Sequence, residues 1–470
     1  MFIKIIILVS TLFSLSLNAK NIDNQTFNKI DNHIKKVQNE VNIPSISIGI
    51  VKDDKLVYKK SYSEDKNINE NSLYYIGSLT KSFTALAILQ LIEEKKLNLD
   101  DSIKKHLPWF KIKDMENIDK ITIRTLLNQT SGFSTFEGLK NFDDWDSSDF
   151  ALEKTIMALK DISLKSEPSK TFQYSNINYQ ILGLIIEKVS GVSYDQYINK
   201  NIFQKLSMNN SFASLDNLDK NNLVQAHIHW FGHPIKSDYP FSKIMLPAGY
   251  IVSNIEDMSK YLINQINIEV SKNIKQIQTQ SAPIVKDSLY YGFGWFTHTK
   301  DELSLDHLGS TPGYTSTMII YPQDKLGIIL LSNTTSYTLG NSRLTSLASD
   351  IIDIIKNKEP KDKAIDIISI IAYIFFIIAI IIKLFFIYRF IKKPKNISKF
   401  KITISIIFDI LIILSLYILL PKLYNLTFGV FLMFSPDIGY LMLGLIMISI
   451  FGIIGKIFYF LRSNKNKAIL

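Results

Sequence analysis

Apolar and polar positions divide the chain into two unlike parts. Up to about residue 357 the apolar residues recur at the spacings of a folded domain. Phe27, Ile30, Ile34, Val37 and Val41 share one helical face, and Pro44 ends that helix. Residues 45–51 alternate with period two, Asp53-Asp54 makes a turn and 55–62 runs back, which predicts a β-hairpin. The run Tyr74-Tyr75-Ile76-Gly77 is strand-like and leads straight into a long apolar helix that begins at Ser78. Residues 179–189 read as a helix that ends at Gly191 as a C-cap. Strand-like runs return at 292–297, 316–321 and 326–332, and a helix over 342–355 closes the unit. Strands at both ends of a helical middle predict an α/β sandwich with a helical insertion.

The ends of the chain follow a different pattern. Lys4, the apolar run 5–17 and Leu17-Asn18-Ala19 have the form of a secretory signal over residues 1–19; an uncleaved anchor is the other reading. After a linker at 358–363, the stretches 367–388, 402–420 and 438–458 are each long and apolar enough to span a bilayer. The loop at 389–401 and the C-terminal tail carry most of the flanking Lys and Arg, whereas the other loop has only Lys422. The positive-inside rule therefore puts that loop and the tail in the cytoplasm and the region before residue 358 outside. The expected organisation is a signal at 1–19, a folded domain at 20–357, the linker, and a membrane region at 364–470. Asp409 inside the second span marks either a functional site or a hydrogen bond to a neighbouring helix.

Composition narrows the chemistry. The 470 residues carry a net charge of +10 and no cysteine. That rules out disulfides, thiol nucleophiles and cysteine-ligated metals. Much of the positive charge flanks the apolar C-terminal segments, so it argues for a membrane rather than nucleic acid.

The candidate chemistry begins at Gly77-Ser78-Leu79-Thr80-Lys81. A serine and a lysine three residues apart share a helical face, so Lys81 can reach the Ser78 hydroxyl as base or electrostatic support. The same spacing recurs at Ser63/Lys66, Ser102/Lys105 and Ser398/Lys401, but those serines sit among charges. Tyr174 and Asn176 form a Tyr-x-Asn, a phenol to move protons and an amide to hold a carbonyl. Tyr197 and Asn199 repeat that pattern inside an evident helix. His307 and Gly309 form a His-x-Gly before Ser310, where a strand edge can lend a backbone N–H to an oxyanion hole. His227, His229 and His233 could share a metal, but no carboxylate pattern supports them and no metal is expected.

Together and in this order, the three motifs resemble those of the serine β-lactamases and penicillin-binding proteins, in the branch with class C β-lactamases, D-aminopeptidases and esterases. The resemblance runs from about Phe27 to Ile355 and includes Thr130-Ser131-Gly132, Pro247-Ala248-Gly249-Tyr250 and Tyr291-Gly292-Phe293-Gly294-Trp295. It implies an antiparallel sheet flanked by helices with an all-helical subdomain, followed here by three transmembrane helices. It implies Ser78 as acylated nucleophile and Lys81 and Tyr174 as partners in proton transfer. Asn176, His307, Gly309 and Ser310 would then bind substrate, the N–H groups of Ser78 and Ser310 would form the oxyanion hole, and no cofactor is implied.

Class A relatives have Ser-Asp-Asn and Lys-Thr-Gly as second and third motifs. Here Tyr174 and His307 replace the first residue of each, and a neutral histidine gives a substrate carboxylate no charged partner. The expectation is therefore a membrane-tethered hydrolase of peptide, amide or ester substrates, related to the cell wall or to D-amino-acid peptides. The competing expectation is a sensor that is acylated without efficient turnover.

Overall fold

The computed structural model describes residues 22–467 apart from 217, 219, 270–283, 286–287, 339, 362–365 and 393–397. The expected signal at 1–19, part of the linker and part of the loop at 389–401 lie outside the described residues.

The strands, in chain order, are β1 (Ser45–Lys52), β2 (Lys55–Ser63), β3 (Tyr74–Tyr75), β4 (His227–Trp230), β5 (His233–Lys236) and β6 (Val252–Ser253). They continue with β7 (Leu289–Gly292), β8 (Trp295–His298), β9 (Ser304–Thr311), β10 (Tyr314–Tyr321), β11 (Leu326–Ser332) and β12 (Thr334–Thr335). Seven of them form one antiparallel sheet in the order β2-β1-β11-β10-β9-β8-β7, which brings the two ends of the domain together through Ile46 opposite Ser332. The β1–β2 hairpin is as expected, and Asp53 and Asp54 both take positive φ in its turn, as a two-residue hairpin of this twist requires. The expected single strand at 292–297 is instead two strands. Phe293 and Gly294 take positive φ and reverse the chain between β7 and β8.

The helices of the domain used below are α1 (Asn24–Val41), α2 (Thr80–Glu93), α3 (Asn176–Ser190), α4 (Leu246–Gly249), α5 (Ile255–Asn264) and α6 (Asn341–Ile355). On one face of the sheet α1 and α6 press Ile34, Val37, Leu347 and Ile351 onto Ile48 and Ile328. On the other, α5 lies against β1, where a Cβ on Gly49 would stand 2.7 Å from Ser259 Oγ, so only glycine fits. Helix α2 is buried on nearly every side, as its near-continuous apolar sequence requires, and it forms the centre of a helical layer with α3 and α4.

Beyond the domain come α7 (Ile367–Lys392), α8 (Lys399–Leu414), α9 (Phe428–Phe434) and α10 (Pro436–Lys467). Three helical stretches, Ile367–Lys392, Lys399–Leu423 and Pro436–Leu461, are long and apolar enough to cross a membrane. Asp409 of α8 is fully buried and pairs with Lys383 of α7 and, at 2.6 Å, with Lys456 of α10. It therefore ties all three spans together. The short α9 bridges the two parts: Phe428 packs on the apolar cluster of the spans, while Val430, Met433 and Phe434 are buried in the apolar core of the preceding domain.

Candidate active site

Ser78 sits in a single 3-10 turn, Gly77–Leu79, just ahead of α2 rather than in its first α-helical turn. Lys81 lies in the first turn of α2, and its Nζ comes 3.0 Å from Ser78 Oγ. Ser78 itself is half-buried and so within reach of a substrate. Lys81 is fully buried and donates also to the Ala248 carbonyl at 2.6 Å, from α4. Both partners are neutral, and burial pushes the amine well below the ordinary lysine value. The decoys fall elsewhere. Ser102 and Ser398 cap helices, and Ser63 ends β2.

Tyr174 lies with its ring 4.9 Å from Lys81 Nζ. Burial, with Tyr291 adding to it, raises its phenol well above the ordinary tyrosine value, while a hydrogen bond from Ser78 pulls the other way. Asn176 opens α3 and donates to the Gly138 carbonyl at 3.3 Å. The loop that carries both residues is held by Gln129, whose side-chain oxygen accepts from the Ser175 N–H at 2.9 Å and from the Asn178 amide.

His307 and Gly309 lie on β9, which pairs with β8 only through Ser304, Leu305 and Asp306. From His307 onward that side of β9 faces the Ser78 turn instead. A Cβ on Gly77 would stand 2.4 Å from the Ser310 nitrogen, and one on Gly309 would stand 2.2 Å from the Ile76 carbonyl. Two glycines thus let the Ser310 amide approach the serine. The His307 ring is buried, with Nδ1 2.7 Å from the Leu308 carbonyl and Nε2 3.3 Å from the Tyr291 hydroxyl. This fits a neutral ring that donates from Nδ1. Burial, reinforced by the nearby Lys81 amine, lowers its value to about 3.

The three sequence motifs therefore converge on one cavity of about 370 Å³, lined by Ser78, Tyr174, Asn176, His307, Gly309 and Ser310 among others. Residues 30–349 match the Beta-lactamase family. This chain belongs to that family. It is 31% identical over 327 residues to Protein flp of Staphylococcus aureus (strain N315), covering 67% of this chain and 64% of that protein's own length. It is 28% identical over 291 residues to Penicillin-binding protein 4* of Bacillus subtilis (strain 168), covering 58% of this chain and 63% of the relative. The octameric penicillin-binding protein homologue from Pyrococcus abyssi has a similar structure, with TM-score 0.61 at 29% identity, covering 71% of this chain and 78% of that one. The sheet, its helices and the helical subdomain are thus the β-lactamase-like fold.

Sequence reasoning passed over several residues of this site. Gln129 stood just ahead of Thr130-Ser131-Gly132 with no role of its own. Leu426, Val430 and Phe434, which also line the cavity, lie between the second and third apolar spans and had no signal that tied them to Ser78. A larger groove of about 1440 Å³, lined by Lys60, Glu64, Asn69 and His233 among others, lies away from Ser78 and holds no nucleophile–base pair. His227 and His229 share a face of β4, and His233 lies exposed on β5 opposite Trp230. Among the described residues no group of three or more His, Cys, Asp or Glu is placed to hold a metal.

Proposed function

We propose that this Beta-lactamase family member is a membrane-tethered serine hydrolase that works through an acyl-enzyme on Ser78. The observation that carries the reading is the buried Lys81 amine, 3.0 Å from Ser78 Oγ with neutral partners. A neutral amine accepts the Oγ proton as the oxygen attacks the substrate carbonyl. The Ser78 and Ser310 amides stabilise the resulting oxyanion. Tyr174, in contact with both Ser78 and Lys81, passes the proton to the leaving group, and water then cleaves the acyl–serine ester and restores the hydroxyl. Asn176 orients the substrate carbonyl or amide. Neutral His307 offers no charge to a carboxylate, which favours ester, amide or aminopeptidase-like substrates over those that end in a carboxylate.

Full-length protein treated with a fluorophosphonate and measured by intact mass should gain one adduct on Ser78, and Ser78→Ala should gain none. Folded protein that stays unlabelled would refute the nucleophile. Release of several product molecules per enzyme supports the hydrolase, whereas one stoichiometric, long-lived adduct would favour the sensor.

The catalytic domain faces outward in this reading, with the loop at 389–401 and the tail in the cytoplasm of a multi-pass membrane protein. The loop between the second and third spans must then share the domain's side, and its α9 does pack on the domain. The chain has no cysteine, so single cysteines map topology without background. Lys422→Cys should react with an impermeant maleimide on intact cells and Ser398→Cys should not; the reverse pattern would invert the topology.

A further inference from the structure

Part of the wall facing Ser78 comes from the membrane region. The Phe434 ring stacks on Tyr337 with centroids 4.8 Å apart and meets Phe142 edge-on at 5.3 Å. Its carbonyl accepts the Tyr337 N–H at 3.2 Å. The next turn anchors this contact: the buried Asp437 carboxylate accepts from the Tyr373 hydroxyl of α7 at 2.5 Å and from the Phe231 N–H at 3.1 Å, with Thr338 at 3.4 Å. The segment from Val430 to Asp437 is thus fixed against the domain that carries Ser78.

The cavity brings the polar groups of Ser78, Asn176 and Ser310 together with the apolar side chains of Leu139, Phe142, Leu426, Val430 and Phe434, and no lining residue is an Asp, Glu, Lys or Arg. A charged group drawn against these apolar side chains would lose its water and gain no charged partner, whereas a hydrocarbon chain would lose only water. We infer that this cavity takes an ester whose acyl group is an uncharged hydrocarbon chain, admitted from the bilayer side, with Leu426 and α9 as the element that selects it. The inference rests on the acyl-enzyme reading above and adds the substrate class.

The test uses the full chain in lipid nanodiscs and p-nitrophenyl esters from acetyl to dodecanoyl, with the succinyl ester as the carboxylate-bearing comparison. The expected kcat/KM rises at least about tenfold from acetyl to octanoyl, with about fourfold per buried methylene as a ceiling. The succinyl ester should fall below the butanoyl ester. Val430→Phe and Leu426→Trp should each lower the octanoyl-to-acetyl ratio at least about tenfold. Leu426 is half-exposed, so its variant probes the same wall if the buried Val430 position does not accept phenylalanine. A flat chain-length profile, a preference for the succinyl ester, or variants that slow every ester equally would overturn the inference. Those results beside a Ser78 adduct with a short fluorophosphonate would leave the hydrolase reading standing. No adduct and no turnover would overturn both.

Discussion

Lys81 is expensive for the fold and useful for the chemistry. Its amine lies well below the ordinary 10.5, because burial penalises the charged form. Between the lowered value and 10.5 the unfolded chain binds a proton that the folded chain does not, so stability rises with pH across that window. Lys81→Met removes this penalty. The variant should melt at or above the wild type, with the gap widening as pH falls from 10.5 towards the lowered value. Labelling of Ser78 should drop by about 10³-fold. Thermal melts at several pH values, with labelling rates beside them, check both. A variant that melts lower at every pH, or still labels at the wild-type rate, would refute the account. His307, near 3, stays neutral at working pH, so the labelling profile should show a single limb that rises as Lys81 loses its proton.

The elements around the serine depend on close backbone approach, and two glycines separate that effect from ordinary strain. Gly77 and Gly191 both have positive φ, at 53° and 76°. A Cβ on Gly191 meets nothing within 4 Å, whereas one on Gly77 meets the Ser310 nitrogen at 2.4 Å. Alanine at either position should cost about 1 kcal/mol for the backbone conformation alone. Only Gly77→Ala should cost markedly more and slow Ser78 labelling, because the Ser310 amide must move away. Equal labelling by the two variants would remove that amide from the site. This contrast also shows what the sequence could reveal. Ser78, Lys81, Tyr174, Asn176 and His307 stood out because each motif is a local pattern with a chemical reason, and the alternating run at 45–51 marked the first hairpin of the sheet as plainly. The turn at Phe293-Gly294 was hidden, since both of its flanks are apolar and only the φ of two residues divides them. The part played by Gln129 was hidden too, because it acts on Ser175 and Asn178 across 46 or more residues.

At the scale of the whole molecule, the segment between the second and third apolar helices forms part of the wall of the Ser78 cavity. Nothing in the order of residues 426–434 linked them to Ser78; apolar residues between two spans look alike whether they meet lipid or protein. The same holds for Asp409, whose partners Lys383 and Lys456 lie 26 and 47 residues away. The three charges hold α7, α8 and α10 together, and α9 hangs between α8 and α10 as part of the cleft wall. Asp409→Ala leaves two mostly buried ammonium groups facing each other, which should cost about 3–5 kcal/mol. Replacing all three charges, as Lys383→Met, Asp409→Leu and Lys456→Met together, removes the uncompensated charge and should restore stability to near that of the wild type. Thermal melts of both proteins in nanodiscs read the first effect. The octanoyl-to-acetyl ratio reads the second. It should fall in Asp409→Ala, where the spans loosen and α9 shifts, and recover in the triple variant. A triple variant as unstable as Asp409→Ala would mean that the triad's specific geometry, rather than its charge balance, holds the spans. An Asp409→Ala protein that melts lower yet keeps the wild-type ratio would mean that α9 is positioned by Asp437 and the catalytic domain alone.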